Sequence, residues 1–302
     1  MQVRWPAPNA FTNLMSEEIS AQSAAKPKSS ARPDVATLAG LVLAFAGILG
    51  GLLIEGGKIK DIAQFTAALI VLGGTVGAVM VSTPLAVLIG AARRLLGVFL
   101  DDTQPMEGLM EELIEYATKA RKQGLVSLEQ QALLIADPFL RKALNLAVDG
   151  TDLQEIRKML ELEIDLEQHH ADEEAKVFEN AGGYAPTIGI IGAVLGLIQV
   201  MKNLANIDGV GHGIAVSFVA TVYGVGSANL FFLPAATKIK SRSHSQTQRK
   251  ELILEGVCGI VEGLNPKLIR SKLEAYMPHG AEKKKKDASQ PNNASEPAGA
   301  EG

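Results

Sequence analysis

The sequence predicts an all-α polytopic membrane protein, with four transmembrane helices in a 2+2 arrangement and a helical cytoplasmic domain. Three observations lead there. Four apolar stretches are each long enough to cross roughly 30 Å of hydrocarbon at about 1.5 Å per residue. None of the four contains Asp, Glu, Lys, Arg or His. The 302 residues are 47% hydrophobic yet 21% charged, so the two kinds of residue must be segregated along the chain. A net charge of −4 argues against nucleic acid as a partner.

Residues 1–33 are polar and rich in Ala, Ser and Pro, with no apolar core of a signal peptide. They read as a disordered extension, with Met15 an alternative start. Residues 34–92 form a first transmembrane hairpin. Its spans are Leu38–Ile54 and Phe65–Val81, the second with an apolar continuation to Ala92. Residues 93–184 form a helical cytoplasmic domain with nineteen acidic against ten basic residues. Apolar residues recur there at Leu109, Leu113 and Tyr116, then at Leu160, Leu162, Ile164 and Leu166. Ser127 with Gln130 fits a capping box, and Asp137-Pro138 supplies a cap followed by proline at the first helical position. Residues 151–182 read as one long helix feeding into the third span.

Residues 185–237 form the second hairpin, with spans Ala185–Met201 and Ile214–Leu233. Residues 238–280 are cytoplasmic helices: 235–263 continues the fourth span, and Asn265-Pro266 repeats the cap-and-proline device. Residues 281–302 are a low-complexity disordered tail whose Lys283–Lys286 run is solvated or touches anionic membrane lipid. No strand pattern of any length is visible.

Lys and Arg in the connections set the orientation. Residues 55–64 hold two and 202–213 hold one, whereas 93–184 hold ten and the tail from Ala235 twelve. The long middle segment and both termini therefore face the cytoplasm. Small residues place the helix contacts. Gly189, Gly192, Ala193 and Gly196 give the third span a smooth face for a close neighbour. Ser217, Thr221, Gly224 and Ala228 form a stripe on the fourth, read either as helix packing or as a polar pathway. Pro186 and Pro234 lie near opposite ends of this hairpin and each removes a backbone donor.

Chemistry of the catalytic kind finds no footing. His169 and His170 are adjacent and point to different helix faces, a poor metal pair. No phosphate-binding loop or Ser–His–Asp context is present. No cofactor, metal or catalytic residue is expected. Cys258, the only cysteine, allows no intrachain disulfide and reads as a small buried hydrophobe. Gly-Gly pairs at 50–51, 73–74 and 182–183 read as packing or hinge sites. A channel for protons needs an intramembrane carboxylate, and no span supplies one. If the chain conducts protons, the titrating group comes from another subunit.

The second hairpin, GGYAPTIGIIGAVLGLIQVM followed by GIAVSFVATVYGVGSANLFFLP, strongly resembles the MotA/PomA family of flagellar stator proteins. DVATLAGLVLAFAGILGG looks like that family's N-terminal helix, and NPKLIRSKLEAYMP like its C-terminal ending, so the resemblance covers about Asp34–Pro278. The N-terminal extension and the lysine tail depart from the pattern. The resemblance implies a ring of copies, understood as five, around two copies of a MotB-like partner that bears a membrane aspartate and anchors to peptidoglycan. Ion flow would turn the ring and drive the rotor protein FliG. Thr221, Pro186 and Pro234 match the family's fourth-span threonine and two prolines. Together with Ala193 and Ser217 they are the expected ion-pathway and gating residues. Arg121 and Glu129, in RKQGLVSLE, match its rotor-facing charged pair. Sodium-type members carry threonine where this sequence has Ala193, so the expected ion is H+ rather than Na+. The alternatives are an ExbB/TolQ-like energiser, whose large loop follows its first span, and a non-conducting scaffold.

Overall fold

The computed structural model describes residues 32–98, 100–101, 106–202, 204–205 and 207–277. Almost all of them are helical. Four helices are long and apolar enough to cross a membrane, within Val35–Ile54, Phe65–Ser82, Leu153–Lys202 and Gly209–Val261. The chain divides into two compact units. The first takes in described residues of Met1–Thr103 and Asp165–Ser245, the second those of Gln104–Ile164 and Gln246–Gly302.

In the first unit, α1 (Val35–Ile54) begins where Asp34 accepts from the Thr37 amide, an N-cap that satisfies one of the orphan donors of the first turn. None of its residues is buried within the chain. After the short helix α2 (Ile59–Ile62), α3 (Phe65–Ser82) contains a π turn at Leu69–Gly73. The apolar continuation expected as far as Ala92 is interrupted. Thr83 is extended (φ −136°, ψ 134°), and α4 (Leu85–Val98) is a separate helix. Pro84 is the reason, because its ring disfavours helical backbone at the residue before it. A two-residue antiparallel pairing, Arg32 with Asp101 and Pro33 with Leu100, is the one strand contact among the described residues.

The second unit contains α5 (Met106–Gln123), a 3-10 turn at Leu125–Leu128, α6 (Glu129–Ala132) and α7 (Pro138–Val148). Asp137 caps α7 by accepting from Phe139 and Leu140 amides at 2.9 and 3.1 Å. The capping box expected at Ser127 does not form. Gly124 takes φ +83°, a conformation that favours glycine, and a 3-10 turn follows, so the Ser127 hydroxyl donates back to the Gly124 carbonyl.

Helix α8 (Leu153–Lys202) is 50 residues long, about 75 Å at helical rise, and contributes to both units. In its first part Ile156, Leu160 and Ile164 are buried, one face at i, i+4 spacing, while Leu162 and Leu166 lie on the exposed side. Helix α9 (Ile207–Ser227) continues through a π turn at Ala228–Phe232 into α10 (Leu233–Val261). Helix α11 (Pro266–Leu273) closes the described chain with a 3-10 turn at Glu274–Tyr276, capped by Asn265 accepting from the Lys267 amide.

Candidate functional site

The site is assembled where α8 and α9 run antiparallel at backbone contact. A Cβ placed on Gly224 would lie 2.6 Å from the Ala185 carbonyl oxygen and 3.0 Å from Gly189 Cα. One placed on Gly192 would lie 2.8 Å from the Ala220 methyl, and one on Gly213 would lie 3.0 Å from the Gly196 carbonyl oxygen. Such small residues are what lets two helices approach closely where lipid offers no hydrophobic driving force between them. Ile188 of α8 fills the space beside Gly74 of α3, just past the π turn there.

Ser217 is buried at this contact, and its hydroxyl donates to the Ala193 carbonyl at 2.8 Å with the Gly213 carbonyl as second acceptor at 3.0 Å. Thr221, one turn on, is exposed and donates to the Ser217 carbonyl at 3.2 Å. Ala193 is half-buried. Pro186 sits inside α8, which continues unbroken through it, and its Cα would be 3.2 Å from a Cβ on Gly224. Pro234 is the second residue of α10, directly after the π turn at Ala228–Phe232. A proline has no amide to bond the carbonyl four residues back and its ring crowds that carbonyl. The wider π turn upstream accommodates both effects. Pro186, Ala193, Ser217 and Thr221 thus gather on one hairpin, with Pro234 further along the same helical line.

Three polar clusters here were not visible in the sequence. Asp34 accepts from Lys238 at 2.6 Å and meets Arg242 at 3.4 Å, and Arg242 also donates to the Gly97 carbonyl. The Lys238 ammonium, then the Thr37 amide, hold the Asp34 carboxyl well below the usual carboxylate range. Arg94 pairs with Glu174, whose carboxylate lies over Gly90, where a side chain would collide with it. The Tyr223 hydroxyl donates to the Ile62 carbonyl at 2.5 Å and accepts from the Gln64 amide, tying α9 to the entry of α3. The only local signal for any of these is Asp34 standing immediately before a charge-free helix.

In the second unit Arg121 and Glu129 are both exposed, at the end of α5 and the start of α6. These are the termini where a cation and an anion respectively complement the helix dipole. Cys258 is buried in the core of this unit, and burial pushes its thiol pKa up, consistent with a packing role. His169 and His170 each lie beside Glu173, at 3.6 and 3.7 Å. No group of three metal-binding side chains occurs among the described residues.

Fold and site together define a class: a multi-pass helical membrane protein whose spans supply a close-packed, charge-free hairpin. Residues 38–124 match the family profile described as Motility protein A N-terminal, and residues 131–252 match that of the MotA/TolQ/ExbB proton channel family. The chain is 34% identical over 246 residues to Motility protein A of Bacillus subtilis, covering 81% of this chain and 91% of the relative. It is 35% identical over 251 residues to Motility protein A of Helicobacter pylori, covering 83% and 98%. The solved structure of C. jejuni MotAB superposes with a TM-score of 0.78 at 32% identity, over 82% of this chain and 97% of that one. The chain belongs to the MotA branch of the MotA/TolQ/ExbB family, the flagellar stator proteins.

Proposed function

We propose that this chain is the ring-forming subunit of a flagellar stator, which with a MotB-like partner conducts protons and converts their flow into torque on the rotor. The single observation carrying this is the α8–α9 hairpin, a backbone-tight pair of helices with no Asp, Glu, Lys, Arg or His over Ala185–Met201 and Ile214–Leu233. Such a pair can line a proton path but cannot bind the proton, so the carboxylate comes from the partner's membrane helix. The MotAB complex matched in structure supports that pairing, and a ring of five copies is the arrangement proposed.

Within the hairpin Thr221 lines the path. Ser217 fixes the register of the two helices by donating to Ala193 and Gly213, and Pro186 and Pro234 set where the helices give. Ala193 presents a methyl group, which cannot replace a sodium ion's water, so the ion is H+. Both termini and the second unit lie in the cytoplasm of a bacterial inner membrane, where the Lys and Arg of the chain are concentrated. Arg121 and Glu129 there face the rotor protein FliG, and charge complementarity favours fast, oriented contact over tight binding.

Proton uptake by vesicles holding this chain with its partner is the test. Uptake should appear on imposing a potential, persist when sodium is omitted at fixed pH, and vanish when the partner's membrane aspartate is replaced. Absence of uptake would refute conduction, and a strict need for sodium would refute the choice of ion. Reversing charge at Arg121 should impair rotation and leave membrane insertion intact.

A further inference from the structure

A cavity of about 320 Å³ lies in the first unit between α1, the π turn at Ala228–Phe232 and the start of α10, with Leu95 of α4 on its third side. Its lining is apolar except for Thr37, Asn229 and Lys238. Ala36, Gly40 and Ala44, one stripe of α1 at i, i+4, i+8 spacing, make one wall a shallow trough, and Phe231 and Pro234 supply another. A Cβ placed on Gly40 would meet nothing within 4 Å, unlike one on Gly189 or Gly224 of the α8–α9 contact. Packing within this chain therefore does not require a glycine at position 40, and what the glycine leaves is open volume.

Charge places the cavity along the membrane normal. Asp34 is the last charged residue before α1, and Lys238 is the first after the span Ile214–Leu233. The cavity reaches from Asn229, inside that span, to Lys238, outside it, so it straddles the boundary where hydrocarbon gives way to headgroups. At its polar end two cations share one anion, since Lys238 and Arg242 both meet Asp34. The Asp34 side chain is 10% exposed, whereas those of Lys238 and Arg242 are 35% and 27% exposed. The anion is turned inward, and the cluster shows its surroundings a net positive face.

We propose that this cavity binds an anionic phospholipid of the adjacent leaflet, with one acyl chain along Ala36, Gly40 and Ala44 and the phosphate at Lys238. Size, lining and charge agree on that occupant. The volume is at the small end of the range for ligand pockets, about 300–1,000 Å³. A helix from a second copy of this chain is about 10–12 Å across with its side chains and does not enter such a space, whereas a single hydrocarbon chain does. Ordered water is disfavoured by a lining that offers it few polar partners. The uncompensated cation then selects the headgroup, because a basic residue at the membrane surface attracts anionic lipid. The lipid packs on Asn229–Phe231 of the π turn and on Pro234, filling the space beside the point where this helical line departs from regular α geometry.

The test uses the intact complex with its MotB-like partner, reconstituted in nanodiscs of equal parts phosphatidylglycerol and phosphatidylcholine and analysed by native mass spectrometry with its bound lipid. Wild type should retain phosphatidylglycerol in preference to phosphatidylcholine. Gly40→Leu, whose Cβ has open space around it, should keep the wild-type melting temperature and retain about tenfold less lipid, the change expected when an acyl chain loses about two buried methylenes. Lys238→Gln should lower the preference for phosphatidylglycerol about fivefold, the effect of one basic residue at an anionic surface. A ratio of two lipids is read there, so a general loosening of the Asp34 contact does not mimic the result. A photo-crosslinking phenylalanine at Ala44 should label lipid. Equal retention of both lipids by wild type, undiminished retention by Gly40→Leu, or an unchanged ratio in Lys238→Gln overturns the site. A crosslink from Ala44 to another copy of this chain, or a lowered melting temperature and lost multimer in Gly40→Leu, means that a second copy fills the cavity and overturns it as well. None of these readouts depends on proton conduction.

Discussion

Where α8 meets α9, the contact runs through Gly189, Gly192, Gly196, Gly213, Ala220 and Gly224, with Ser217 bonded to a backbone carbonyl. In the second unit the core is made instead of Leu113, Leu128, Leu140, Leu144, Leu160, Leu252 and Ile253, all essentially inaccessible to solvent. The two regions solve one problem in two solvents. Between helices in lipid an aliphatic side chain gains little by leaving the tails for its neighbour, so backbone proximity and hydrogen bonds are what remain. In water, each large side chain removed from solvent is worth about 1.5–3 kcal/mol, and bulk wins. The exposed side chains follow the same division, since α1 has no buried residue in this chain yet is apolar throughout.

If that contrast is right, opposite changes in side-chain size should do the damage in the two regions, enlargement in the hairpin and truncation in the second unit. The largest effect is expected from Gly224→Leu. Its added side chain would meet the Ala185 carbonyl and the Gly189 backbone, which cannot move aside as a flexible side chain can. It should cost more than about 3 kcal/mol, beyond ordinary overpacking, and be read as lost protein in the membrane fraction. Leu113→Ala removes bulk where bulk matters and should destabilise by about 2–5 kcal/mol, measured by thermal unfolding of the purified complex. The same truncation at exposed Leu43 of α1 should cost far less within one chain, sharpening the comparison.

Smaller effects test the polar ends of both regions. Asp137→Ala removes the cap of α7 and the partner of Arg249 and should cost about 1–2 kcal/mol, again by thermal unfolding. Asp34→Asn keeps an equally good cap for α1 and loses the ionic contact with Lys238, so about 1 kcal/mol or less is expected. Its pH dependence has a definite sign. A carboxyl held low in the folded state stabilises above its unfolded pKa, near 4, and loses that contribution as pH falls further. The stability gap between wild type and Asp34→Asn should therefore be full at pH 7 and narrow below about pH 4.

What could be read in advance was whatever is written locally. Charge-free length revealed the spans, Asp137-Pro138 and Asn265-Pro266 revealed their helix starts, and the unbroken pattern after residue 151 revealed α8. The small-residue face of the third span was legible for the same reason, although not which atoms it would meet. Local signals also misled when two of them competed. Apolarity runs on past Val81, while Pro84 disfavours helical backbone at Thr83, which is extended. Ser127 looked like a cap, but Gly124 had already turned the chain into a 3-10 turn. Leu162 and Leu166 recur among the apolar residues beside Leu160 and Ile164, but the 3.6-residue period places them on the opposite, exposed face. The Asp34–Lys238 and Tyr223–Ile62 contacts join residues far apart in the chain, and no periodicity announces a partner at such a distance.

The bond from Ser217 to residue 193 ends on a main-chain oxygen, so it does not depend on which side chain that residue carries. Position 193 is thereby released from holding the hairpin together. A lineage could trade a methyl for a hydroxyl there by a single codon change, with the hydrogen bond that joins the two helices left as it was.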